Sequence, residues 1–138
     1  MPFNGGSILV REQDPLPPGN MALPPGWSFG DFIELLNSLV FLWPDTSSGP
    51  VPYGIRHFER YQCEDPVILR VPTRDAVDQN VDPGPQVCRF NSGSPRCSQG
   101  RPSPRGPETF QPLASADFTA GRVVEVVFQE AFNLPSTT

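Results

Sequence analysis

The chain has 138 residues, the length of one domain, and carries 19 prolines, 12 glycines and no lysine. Every cation is therefore an arginine, which excludes chemistry built on a lysine amine: a Schiff base, a pyridoxal anchor or the P-loop amine. A net charge of -5 and a pI near 4.7 exclude nonspecific binding of nucleic acid or an acidic membrane over the whole surface, and leave only a local arginine patch for such work.

Proline and glycine together approach the density that marks disordered chains, roughly 25–30 percent. Hydrophobic residues still make up 37%, including ten phenylalanines and two tryptophans, so a core can form and a loop-rich single domain over residues 1–138 is expected. The cysteines, Cys63, Cys88 and Cys97, are odd in number. There is no N-terminal apolar signal stretch and no apolar run near the about eighteen residues that span a bilayer. The expectation is a cytoplasmic protein with reduced thiols and no membrane partner.

In chain order, Ser7 to Arg11 is the first strand candidate, β-branched and preceded by the Gly5-Gly6 breaker. Residues 12–26 hold five prolines and are too stiff for regular structure, which predicts a long loop. Ser28 to Asn37 sets Phe29, Phe32, Ile33, Leu35 and Leu36 at helical spacing, and Ser28 with Asp31 resembles a capping box. Leu39 to Trp43, an apolar run stopped by Pro44, predicts a strand buried on both faces. Tyr53 to Arg60 predicts a second helix with an inward aromatic and aliphatic stripe. Pro66 to Val71 predicts a strand, and Thr73 is expected to cap a short helix through Asp78.

Asn80 to Pro107 shows no periodicity and is expected to be a second long loop, functional or disordered. Arg122 to Phe128 gives the clearest strand signal. This order favours an α+β fold: a single small domain with a mixed, mainly antiparallel sheet and short helices.

Glu125 is flanked by valines inside the last strand, sharing a face with Val123 and Val127 by the two-residue period. It is either a solvent-facing strand glutamate or the acid of a pocket. The 80–107 loop carries Arg89, Arg96, Arg101 and Arg105 with no acid between Asp82 and Glu108. It is either a solvated loop or a phosphate-binding patch, with Asn91-Ser92-Gly93-Ser94 supplying small residues near an anion. His57, the one histidine, reads as an ordinary helix residue, and the cysteine spacing lacks a C-x-x-C pair for zinc. Phe41 and Trp43 share a face with Leu39, as core or as a stacking surface.

Four segments together resemble an uncharacterised bacterial family: Glu12-Gln13-Asp14-Pro15-Leu16, Leu36-Asn37-Ser38-Leu39-Val40-Phe41-Leu42-Trp43, Asn91-Ser92-Gly93-Ser94 and Arg105-Gly106-Pro107-Glu108-Thr109-Phe110. The family pattern is a D-Q-P-L-like segment, an L-N-x-x-V-F-F-W strand, an N-[ST]-G segment, an R-G-x-[DE]-T-F turn and a late strand with an internal Glu. It covers about Ser7 to Phe128. The layout is also distantly similar to DarT-type ADP-ribosyltransferases. That resemblance implies an ADP-ribosyltransferase-like fold, NAD as co-substrate, Glu125 as the catalytic residue, and Arg11, Phe41, Trp43, Asn91, Ser92, Arg105 and Thr109 around the dinucleotide. The implied acceptor is a protein or nucleic acid, with a toxin-like role and a partner protein or antitoxin. Both patterns usually begin with an H-x-T strand and an I-x-x-x-G-L helix that binds part of the nucleotide, and neither stands ahead of Ser7; the expectation is a truncated copy, an incorrect start or a variant that has lost NAD binding, and so an active or a degenerate enzyme. The alternative is a non-catalytic protein-binding module that uses the arginine-rich loop.

Overall fold

The computed structural model describes residues 2–3, 6–7 and 16–135. β1 (Pro2–Phe3) and β2 (Gly6–Ser7) form a small antiparallel ladder. The rest of the expected first strand, residues 8–11, lies outside the described residues. The predicted 12–26 loop is more structured than expected in its described part. β3 (Met21–Ala22) pairs in parallel with Ser103 and Pro104, while Leu16 and Met21 enter the core. A two-residue ladder tolerates proline because it asks for so few amide donors.

Helix α1 (Phe29–Asn37) forms as its sequence predicts. The Asp31 amide donates to Ser28 Oγ at 3.1 Å, and the Ser28 amide and hydroxyl each donate to the Asp31 carboxylate at 2.7 Å. Those bonds hold the Asp31 carboxyl below its usual range. Phe32 and Leu36, one turn apart, bury into a core with Leu16, Met21, Cys88, Phe110 and Val127. Burial of each large apolar side chain contributes roughly 1.5–3 kcal/mol.

β4 (Leu39–Leu42) is the first correction. Among the described residues it is an edge strand, and Phe41 is 39% exposed, so the run is not buried on both faces. An apolar run identifies a strand but not its place in a sheet. Phe41 packs edge-on against Phe110 at 6.0 Å and turns its remaining surface to a cleft. β5 (Asp45–Thr46) and β6 (Gly49–Pro50) close a short hairpin.

Helix α2 (Pro52–Tyr61) starts on a proline, whose missing amide costs nothing at the first helical position. Its apolar stripe does not face inward: Ile55 and Phe58 are 43% and 40% exposed. What packs is aromatic. Trp43 stacks on Tyr53 at 6.5 Å and lies 6.0 Å from His57, which meets Tyr61 at 5.0 Å. Gly54 permits this approach, since a Cβ there would stand 2.9 Å from Trp43 Cβ.

Residues 66–71 form no strand: Val67, Ile68 and Leu69 are 85%, 60% and 68% exposed and have no ladder partner among the described residues. Pro66 and Pro72 bracket the run and remove amides that a ladder would use. Helix α3 (Thr73–Asp78) is present, but Pro72 holds its cap position without a side-chain bond, and Thr73 is the first helical residue.

The predicted 80–107 loop contains β7 (Gln86–Cys88), an interior strand of the main sheet, and β8 (Ser103–Pro104), the partner of β3. Three residues leave no room for a periodic signal. After β9 (Gln111–Pro112) comes β10 (Glu125–Gln129), which starts later than predicted. The four-stranded sheet has the order β4-β10-β7-β9, with every pair antiparallel. The protein is a small α+β domain of one four-stranded sheet, satellite ladders and a few short helices. No described helix is long and apolar enough to cross a membrane.

Candidate functional site

A cleft of about 810 Å³ lies between α2, the end of β4 and the segment following β7. Antiparallel pairing puts Glu125 of β10 opposite Cys88 of β7, and the two-residue period gives Glu125 the same face as fully buried Val127. The carboxyl therefore sits where the apolar core gives way to the cleft, and it is only 2% exposed.

Glu125 Oε1 accepts the Ser92 amide at 3.1 Å, whereas Oε2 is buried with no hydrogen-bond partner among the described residues. Burial pushes the carboxyl up to about 7, against the opposing pull of Ser92, through its hydroxyl and amide, and of the Arg105 charge. A group poised there exchanges its proton near neutral pH. Its unpaired oxygen is a hydrogen-bond acceptor when ionised and a donor when protonated.

Arg105 builds the opposite side of this loop at 4% exposure. Its Nε donates to Ser92 O at 3.2 Å, Nη1 to Ser103 Oγ at 2.6 Å and Pro104 O at 2.9 Å, and Nη2 to Asn91 O at 3.2 Å. The guanidinium also lies 4.9 Å from the centre of the Phe90 ring. Burial lowers its pKa, with Cys88 and Glu125 opposing. With its donors so engaged, Arg105 fixes the 91–92 backbone that in turn holds Glu125. Cys88 beside it is a neutral thiol: burial pushes it up to about 12.

Phe41, Trp43, Asn91, Ser92 and Arg105 thus join Glu125 on the cleft lining. Thr109 does not; it is buried, and its Oγ1 accepts the Gly106 amide at 2.8 Å, closing a local turn. Arg11 lies outside the described residues. Of the four loop arginines, Arg89, Arg96 and Arg105 line the cleft and Arg101 does not.

Sequence reasoning missed the α2 wall, where Tyr53, Arg56, His57 and Arg60 face the cleft. The signal was their own i, i+3, i+4, i+7 spacing, masked by the equally helical Ile55 and Phe58. Burial and the Arg60 charge hold the His57 pKa below its ordinary value, so it presents a neutral ring at pH 7. Among the described residues, Glu125 is the sole carboxylate on a lining that carries five arginines: Arg56, Arg60, Arg89, Arg96 and Arg105.

No curated protein and no solved structure matches the chain. A family model does match, over residues 2–136. The chain belongs to the DUF7002 family, a family of unknown function.

Proposed function

We propose that the cleft takes NAD and that the protein is an ADP-ribosyltransferase-like enzyme, moving ADP-ribose to a protein or nucleic acid acceptor with Glu125 as its catalytic carboxylate. The observation that carries this reading is Glu125 Oε2, a buried, unpartnered oxygen on the lining of an arginine-rich and aromatic cleft. An unpaired buried acceptor costs about 1–3 kcal/mol, and a ribose hydroxyl donating to it offsets that cost only in the complex. The aromatic rings of Phe41 and Trp43 offer a surface for nicotinamide, and the exposed arginines Arg56, Arg60, Arg89 and Arg96 offer forked donors for the diphosphate. As the bond between ribose and nicotinamide breaks, its electron pair leaves with nicotinamide and positive charge grows on the ribose, where an ionised Glu125 stabilises it. The acceptor then bonds to the same ribose carbon and gives up its proton to water.

Incubation of the purified protein with labelled NAD is expected to label the protein itself, a partner or nucleic acid, and Glu125→Gln is expected to abolish the label while the fold persists. Absence of NAD binding by calorimetry sinks the enzymatic reading. The non-catalytic binding module draws support from the exposure of Arg96 and Arg101 on the loop. It expects partner capture that depends on those two arginines and ignores Glu125.

A further inference from the structure

Helix α2 is turned against its hydrophobicity. Ile55 and Phe58 are 43% and 40% exposed, while Tyr53, Arg56, His57 and Arg60 line the cleft. Burial of apolar area alone favours the opposite rotation. The rotation is fixed by the fit of Gly54 against Trp43 and by the stacking of Trp43 on Tyr53. A helix whose cations and rings are held toward a cleft, at the expense of its apolar side, is arranged for a ligand that is both anionic and planar.

We propose that this α2 wall is the subsite for a nucleoside diphosphate, the ADP half of the dinucleotide. The inference rests on the NAD reading and adds to it a division of the cleft, with the ADP half on α2 and the nicotinamide ribose at Glu125. Arg56 and Arg60 are one turn apart, about 5–6 Å between Cβ atoms, a spacing that lets each guanidinium fork onto one of two successive phosphates. The Arg56 guanidinium lies 4.8 Å from the centre of the Tyr53 ring, a contact that orients it, and the side chain is exposed on the cleft lining. Neutral His57, on the cleft lining one residue from Arg56, supplies a ring face for the base. Charge agrees: in a chain of net charge -5 the described residues of this lining gather five arginines against one acid.

The test is calorimetric titration of the full chain with ADP and with adenosine. ADP is expected to bind, adenosine at least tenfold more weakly, and the Arg56→Gln/Arg60→Gln double variant to lose about a hundredfold in ADP affinity, roughly tenfold per charged hydrogen-bonding partner. Thermal unfolding of the double variant is expected to match the native protein because both side chains are exposed. Glu125→Gln is expected to keep ADP affinity. No ADP binding by the native chain, or unchanged affinity in the double variant, overturns the subsite. If ADP binds through the two arginines while labelled NAD is never consumed, the subsite stands and the transferase reading falls. If NAD is consumed with the same KM in the double variant, the transferase reading stands and the subsite falls.

Discussion

Burying a carboxyl at 2% exposure with one oxygen unpaired is costly, and Glu125 meets the cost by keeping its proton to higher pH. Unfolding returns the group from about 7 to its ordinary 4.5. Between those values the folded chain holds a proton that the unfolded chain has released. Stability is therefore favoured at the acidic end, falls as pH rises through this window, and bears the full penalty above about 7, on the order of 3 kcal/mol. Glu125→Gln is expected to flatten that slope and to unfold several degrees above the native protein at pH 8. Melting both proteins at pH 5 and pH 8 checks this, and parallel slopes would refute it.

Among the elements, the segment after β7 depends on Arg105, whose bonds reach Asn91, Ser92, Ser103 and Pro104. A lysine ammonium is a point charge and cannot span these acceptors. Arg105→Lys is expected to lower stability by about 3 kcal/mol, measured by denaturant unfolding, with loss of hydrogen-exchange protection at the Ser92 amide. How far the sequence reveals such elements depends on how local their causes are. The capping box of α1 lies within four residues, and its helix was legible in full. The existence of α2 was equally legible, but its rotation follows from Trp43 and Gly54, an encounter between distant parts of the chain. β7 was invisible because it is three residues long and owes its place to β10 and β9 on either side. Glu125 and the strand that carries it were legible; the pocket role of the carboxyl stayed one of two readings because burial depends on what packs above the strand.

Across the whole molecule, charge is segregated. The chain is acidic, yet one cleft collects arginines from α2 and from the segment following β7. Ligand binding there is expected to weaken with salt, since exposed charges are screened within about 10 Å at 0.1 M. The described surface also carries the apolar run Val67 to Leu69. Ile68→Lys is expected to change unfolding free energy by less than about 0.5 kcal/mol, the range of exposed sites. A loss of several kcal/mol in denaturant unfolding would show that the run is covered in solution.

The pairing of Glu125 with Cys88 has one more consequence. A slip of a single residue between β10 and its neighbours turns the carboxyl to the opposite face and offers a valine to the cleft in its place. Errors of assembly therefore erase the acid instead of relocating it. Among the described residues, a chain that has not yet closed its sheet correctly sets no carboxyl on the cleft lining, so the acid of the cleft is a product of completed folding.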